Sequence, residues 1–329
     1  MKRIVTGLKP SGDLTLGNYV GVIKSLVEMQ DEYEILIFIA DLHAITTRQD
    51  RLELRKRIKE FSAIYIACGL DPNKIKIFIQ SEIQAHAQLG WILLCNTYIG
   101  ELNRMTQYKD KVNKEGTAKL TGGFYTYPSL MAADILLYDA DVVFVGNDQL
   151  QHLEITRDIA TRFNNEYGET FKVPEPMSNK TLSRVMDLQD PLKKMSKSES
   201  NKGCIILRED ISAIKKKIRS AVTDSDTKIY YDKDNKPGIA NLLELYALFS
   251  KISLEKAEDY FKNRSYKELK DELAELIGAE IEKIQQRYNE LVQTGEIDNI
   301  LNDGYEYCNK LALRKIAKIE HKVGLNRKK

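Results

Sequence analysis

The sequence predicts an α/β fold: a Rossmann-like doubly wound parallel sheet followed by a mostly α-helical C-terminal domain. Three observations carry this. Over the first 190 residues, short apolar segments of strand length alternate with amphipathic helical stretches. The strand segments are apolar on nearly every residue, as in a sheet covered on both faces. Beyond Pro191 such segments give way to helical periodicity. The 329 residues are 43% hydrophobic and 30% charged with only 7 prolines, enough for two domains and a buried core.

Arg3–Leu8 reads as the first strand and runs into the turn Lys9-Pro10-Ser11-Gly12. Gly17–Gln30 is predicted helical from Val20, Ile23 and Val27, spaced by three and four. Ile35–Ala40 is an apolar strand of six residues, too short for a membrane. Arg51–Gly69 carries Leu54, Ile58, Phe61, Tyr65 and Cys68 on one helical face, with Gly69 suited to end it. The strand Ile75–Gln80 and a helix near Ala87–Ile99 follow. Glu101–Gly123 is polar, glycine-bearing and without periodicity, which predicts an insertion with a mobile loop. A helix at Pro128–Tyr138, a strand at Asp141–Val145 and a helix at Gln149–Phe163 resume the alternation, and a last strand is expected near Thr181–Met186. After a boundary near 190, helices are predicted at Ile211–Ser220, Ala240–Ser250, Leu254–Tyr260, Tyr266–Val292 and Asp303–Ile319.

Composition excludes several classes. Four dispersed cysteines form no Cys-x-x-Cys pair and four histidines form no His-Glu-x-x-His, so neither a disulfide framework nor a structural metal site is expected. The N-terminus lacks the apolar stretch of a signal peptide, which predicts a soluble, cytoplasmic protein with no membrane contact. Net charge is +2 but unevenly spread: −3 over residues 1–190 and +5 over 191–329. Eight basic residues and one acidic residue fall between Lys310 and Lys329. That cluster suits a phosphate-contacting surface and equally a solvated helix face.

Two segments have the makings of a chemical site. The first, Lys9 to Tyr19, lies between the first strand and the first helix. A doubly wound fold holds nucleotides there, at a helix N-terminus beyond a strand's carboxyl end. Gly12 and Gly17 allow close backbone approach, and Thr15 and Asn18 can donate to phosphate oxygens. On spacing alone, a capped turn opening an amphipathic helix explains the segment as well. The second, Lys194-Met195-Ser196-Lys197-Ser198, puts two flexible point charges three residues apart at the domain junction. A solvated basic loop is its ordinary alternative.

Taken together the two segments resemble the paired signatures of class I aminoacyl-tRNA synthetases. Thr15-Leu16-Gly17-Asn18 is similar to a degenerate His-Ile-Gly-His, and Lys194–Ser198 matches Lys-Met-Ser-Lys-Ser letter for letter. Pro10–Tyr19, Gly100–Gln107, Tyr127–Tyr138 and Gly146–Asp158 resemble the bacterial tryptophanyl-tRNA synthetases in particular. The likeness runs from residue 3 to about 250. It implies activation of L-tryptophan by ATP with Mg²⁺, giving tryptophanyl-adenylate, and transfer to tRNA(Trp) by a homodimer. The tyrosyl-tRNA synthetases share fold and signatures and are the nearest alternative. An adenylyltransferase without tRNA and a catalytically dead paralogue are more distant ones.

The resemblance also assigns residues. Thr15, Gly17 and Asn18 would cradle ATP, together with Lys9, Pro10 and Ser11. Lys194, Met195, Ser196, Lys197 and Ser198 would hold the pyrophosphate portion, with Thr15, Asn18, Lys194, Ser196 and Lys197 catalytic. Gly146, Asn147 and Asp148 would take the adenosine and the Val185 backbone the adenine. Asp134 would accept the indole N–H, and its apolar neighbours Ile135, Leu136 and Leu137 argue against a merely solvated aspartate. Met131, Val143, Val145, His43, Tyr127, Gln149 and Val5 would complete the tryptophan pocket. No protein ligand set is implied for the metal, which would ride on the phosphates. Three departures from the family pattern stand out: Lys9 for the usual glutamine, Val5 for a larger aromatic residue, and Asn147 for a glutamate. The basic C-terminal third is implied to read the anticodon.

Overall fold

The computed structural model describes residues 1–144, 149–177, 185–196, 202–325 and 327. Five strands form one parallel sheet in the order β3-β2-β1-β4-β5: β1 (Lys2–Leu8), β2 (Tyr33–Ile39), β3 (Ile75–Ile79), β4 (Val142–Phe144) and β5 (Glu175–Met177). The chain builds outward from β1 in one direction and then crosses to the other side, so the switch point lies between β1 and β4. Register there pairs Val5 with Val143, and on the other side Val5 with Leu36. The β2 side chains from Ile35 to Ile39 are all buried, which is what both-face coverage of a parallel sheet demands.

The first helical run, α1 (16–29), changes pitch along its length. Leu16–Asn18 is α-helical, Tyr19–Ile23 is π-helical and Lys24–Met29 returns to α. A short turn α2 (Asp41–Ala44) follows β2, and α3 (Arg51–Ala67) is capped by Asp50 and closed by Gly69 at φ +108°. The helix after β3 is α4 (Ala85–Leu94).

Three expectations are corrected here. Residues 101–123 are not a loop insertion: α5 (Ile99–Arg104) and α6 (Thr106–Glu115) occupy most of them. α6 buries none of its residues, so it carries no apolar stripe to read. The next helix, α7 (Gly122–Leu136), starts before Pro128, because Thr121 caps it by accepting from the Phe124 N–H at 3.1 Å. The fifth strand is Glu175–Met177, three residues with Pro176 in the middle, tolerable on an edge strand. Of the expected strand at Thr181–Met186, residues 181–184 lie outside the described residues, and Met186 makes an isolated bridge with Lys194.

After α8 (Leu150–Tyr167) the C-terminal third supplies α9 (Ile211–Arg219), α10 (Pro237–Ser250), α11 (Leu254–Phe261), α12 (Tyr266–Thr294) and α13 (Glu296–Val323). These helices share their core with the sheet. Ile214, Leu243 and Ile277 belong to one apolar cluster with Ile4, Leu16 and Ile37. Cys308, Ala312, Ile316 and Ile319 of α13 join Phe78, Leu89 and Phe163 on the other face. α13 lies against β3 so closely that a Cβ on Gly304 would stand 1.9 Å from the Ile77 carbonyl oxygen. Lys315 of α13 is buried and donates to Asp139 and to the Thr170 carbonyl. Lys315 therefore faces inward, while Arg314 and Lys318 are exposed, so the described basic residues of this segment do not form one surface.

Candidate active site

A cleft of about 510 Å³ opens at the carboxyl ends of β1, β2 and β4, at the switch point of the sheet. Ten of the residues singled out in the sequence line it: Val5, Lys9, Ser11, Asn18, His43, Tyr127, Met131, Asp134, Val143 and Gln149. Pro10, Thr15, Gly17, Val185, Lys194, Met195 and Ser196 stand outside its wall. Val145, Gly146, Asn147, Asp148, Lys197 and Ser198 fall outside the described residues.

At one end of the cleft the two signature segments meet. Thr15 and Asn18 form a capping box: Thr15 Oγ1 accepts the Asn18 N–H at 3.2 Å, and Asn18 Oδ1 accepts the Thr15 N–H at 3.0 Å. Both side chains are thus engaged with each other at the helix N-terminus, as the capped-turn alternative anticipates. The helix start is tied down by the chain beyond the second signature. The Leu16 N–H donates to the Ile205 carbonyl at 2.9 Å, and the Leu207 N–H donates to the Leu14 carbonyl at 2.9 Å. Met195 is buried against Gly17; a Cβ there would stand 3.6 Å from the Met195 carbonyl oxygen, in ordinary contact. The Val185 carbonyl accepts the Met195 N–H at 2.9 Å. Lys194 and Ser196 on either side of Met195 are exposed. Two segments some 180 residues apart in sequence therefore form one rim, with cationic and hydroxyl side chains facing solvent beside a helix N-terminus.

At the other end sits Asp134, with no exposed surface. α7 carries it inward, with Met131 one turn before it on the same face. Oδ1 accepts from Gln80 Nε2 and from His86 Nδ1, both at 2.7 Å, and Oδ2 pairs with His43 Nε2 at 2.7 Å. Burial pushes the carboxyl up, but the hydrogen bonds from His43 and His86 outweigh it and hold Asp134 below the ordinary aspartate value. The Gln80 amide is oriented by the Leu42 N–H, which donates to its oxygen at 3.2 Å. Tyr127 stands edge-on to His43, with centroids 6.1 Å apart, and its hydroxyl donates to Gln107 at 2.8 Å and contacts His152. At the mouth, burial pulls the Lys9 ammonium below its ordinary value.

The departure at Val5 has a structural counterpart. Val5 is fully buried, and the aromatic ring lining the cleft beside it is Phe38 of β2. Phe38 fits because it lies over Gly7, its register partner on β1; a Cβ there would be 2.4 Å from Phe38 Cζ.

Sequence reasoning did not single out Phe38, Gln80, His86, Gln107 or Tyr138. Gln80 had a usable signal, since it follows an apolar strand at its carboxyl end. His86 had none: it sits within an apolar helix in no recognisable spacing.

Comparison with known proteins gives a consistent picture. Residues 1–282 match the family model for tRNA synthetases class I (W and Y). The Tryptophan--tRNA ligase of Bacillus subtilis (strain 168) is 49% identical over 329 residues, covering all of this chain and 99% of its own. The crystal structure of tryptophanyl-tRNA synthetase from Mycoplasma pneumoniae superposes with a TM-score of 0.89 at 37% identity, covering 99% of this chain and 98% of its own. The Campylobacter jejuni enzyme complexed with ADP and tryptophan gives 0.85 at 37% identity, covering 98% and 100%.

Proposed function

This chain belongs to the class I tRNA synthetases (W and Y), and from that premise we propose that it is a tryptophan–tRNA ligase. It activates L-tryptophan with ATP and transfers the tryptophanyl group to tRNA(Trp). The observation that carries the choice of amino acid is Asp134: a dehydrated, ionised acceptor at the end of a cleft walled by Met131, Val143 and Phe38. An indole offers one donor and an otherwise apolar surface, which suits this arrangement. The tyrosyl alternative is less supported, since relatives about half identical over the whole chain are tryptophan ligases.

The chemistry needs positioning and charge stabilisation more than acid–base work. The tryptophan carboxylate attacks the α-phosphorus of ATP, a P–O bond forms, and the bond to pyrophosphate breaks. We assign Thr15, Gly17 and Asn18, at the N-terminus of α1, to the triphosphate, with Lys9, Pro10 and Ser11 beside them. Lys194, Ser196 and Lys197 meet the charge that builds on the leaving pyrophosphate, with Met195 and Ser198 completing that loop. Gly146, Asn147 and Asp148 take the adenosine, the Val185 backbone the adenine, and Val145 a wall of the tryptophan pocket beside Gln149, Tyr127 and His43. Mg²⁺ is assigned to the ATP phosphates, which offer the oxygen ligands it prefers.

Residues 1–190 carry activation, and 191–329 carry the Lys194–Ser198 loop and the anticodon contacts. A homodimer is supported by the exposed Trp91, Tyr98 and Ile99 around α4 and α5, an unusual concentration of bare apolar side chains. Among the described residues no helix is long and apolar enough to cross a membrane, and the cytoplasm is the proposed compartment. The test is aminoacylation of tRNA(Trp) and tRNA(Tyr) transcripts with labelled tryptophan and tyrosine. Tryptophan on tRNA(Trp) alone is expected; tyrosine on tRNA(Tyr) would overturn the assignment.

A further inference from the structure

Behind Asp134 runs a chain of buried groups that does not reach the cleft. His86 Nδ1 contacts Asp134 Oδ1 at 2.7 Å, and His86 Nε2 contacts the Tyr138 hydroxyl at 2.8 Å. His86 has no exposed surface and Tyr138 is 1% exposed. Neither lines the cavity, so neither can touch an amino acid bound in it. From this we propose that Tyr138, acting through His86, is a positioning residue that sets the indole specificity of Asp134. The proposal rests on the reading of Asp134 as the indole acceptor.

An ionised carboxylate only accepts, so His86 Nδ1 must carry a hydrogen. In the neutral ring that the proposal requires, Nε2 accepts and Tyr138 supplies the proton; burial pushes its phenol well above the ordinary value, so it stays a donor. Tyr138 thereby fixes the tautomer of His86, as a hydrogen bond to the far ring nitrogen does for metal-bound histidines. Oδ1 is engaged by two fully buried partners, Gln80 and His86, which sets the carboxylate's rotation. Among the described residues Oδ2 is held by His43 alone, whose side chain is 14% exposed at the cleft. It is the oxygen left for a ligand N–H. Remove the Tyr138 hydroxyl and the proton on His86 is free to move to Nε2. Nδ1 would then turn a lone pair toward Asp134, and the carboxylate would turn or take up a proton. Either change spoils an acceptor matched to one N–H, while the apolar walls stay in place.

Tyr138→Phe is the natural perturbation, because the ring packs edge-on against Phe78 at 5.6 Å and a phenylalanine keeps that contact. ATP–pyrophosphate exchange by the full chain is measured with L-tryptophan and with β-(3-benzothienyl)-L-alanine, which carries sulfur in place of the indole N–H. The wild type is expected to prefer tryptophan strongly. Tyr138→Phe should lower kcat/KM for tryptophan about tenfold, mostly through KM, and leave the analogue within about twofold, so that the preference shrinks about tenfold. An unchanged preference, whether both values fall together or neither falls, would overturn the proposal as a merely structural role for Tyr138. His86→Asn keeps a donor near the Nδ1 position with no tautomer to fix. Adding Tyr138→Phe to it should therefore cost nothing further in preference, and a full additional tenfold loss would also overturn the relay. A wild type with no preference for tryptophan over the analogue would instead overturn the reading of Asp134 itself.

Discussion

Replacing Asp134 with alanine removes the acceptor of three hydrogen bonds of 2.7 Å each. The consequences for the three donors differ. His43, at the cleft, can turn to water. Gln80 and His86 have no exposed surface and are stranded. A stranded buried donor costs about 1–3 kcal/mol, so the folded state should lose about 2–6 kcal/mol, a large share of an ordinary stability of about 5–15 kcal/mol. Activation should suffer separately, by about 2–4 kcal/mol in kcat/KM for tryptophan, from loss of the indole acceptor. The two are resolved by urea unfolding and by pyrophosphate exchange on the same preparation. The pH dependence carries a sign. Asp134 is held below the ordinary carboxylate value, so its contribution is complete above the unfolded value of about 4 and fades as pH falls through the lower folded value. Wild type and Asp134→Ala should therefore differ fully at neutral pH and converge in acid. Equal stability and equal kinetics at pH 7, or a gap that widens on acidification, would refute the reasoning.

Lys197→Ala should lower the exchange rate by roughly 10²–10³ with a smaller effect on ATP affinity; a change confined to KM for ATP would make this lysine a ground-state binder. Arg314→Glu with Lys318→Glu, both exposed on α13, should spare pyrophosphate exchange and weaken tRNA charging, the gap from wild type narrowing as salt rises because fewer phosphate contacts leave the variant less salt-dependent. Normal charging across a salt series would leave those residues as solvating charges. Gly304→Ala would drive a methyl group to within 1.9 Å of the Ile77 carbonyl oxygen, backbone that cannot swing aside. It should cost about 1–3 kcal/mol or more in urea unfolding, and an unchanged midpoint would contradict the close docking of α13 on β3.

The parts of the fold that were legible in sequence are those where burial imposes a pattern. β1, β2, β3 and the long helices announce themselves because both-face coverage or a single apolar stripe leaves a period to read. α6 did not, since it buries nothing, and β5 did not, since a three-residue edge strand with a proline looks like a turn. Gly122 and Gly123 read as loop, yet the Thr121 cap suffices to start α7 through them. The site shows the same division. Asp134, Tyr127 and the two signature segments were visible through their resemblance to a family. Gln80, His86 and Tyr138 act through three-dimensional contacts spanning 48 to 54 residues, which no local spacing encodes. The replacement of an aromatic residue at Val5 looked like a loss in sequence. Only the register that sets Phe38 opposite Gly7 reveals a ring supplied from the neighbouring strand.

The central claim is that a cleft built around one buried carboxylate selects tryptophan for activation. Its most direct test is ATP–pyrophosphate exchange by the purified chain with tryptophan, tyrosine and phenylalanine side by side. The account predicts exchange with tryptophan, and kcat/KM for the other two lower by roughly 10⁴ or more. Comparable exchange with tyrosine would contradict it.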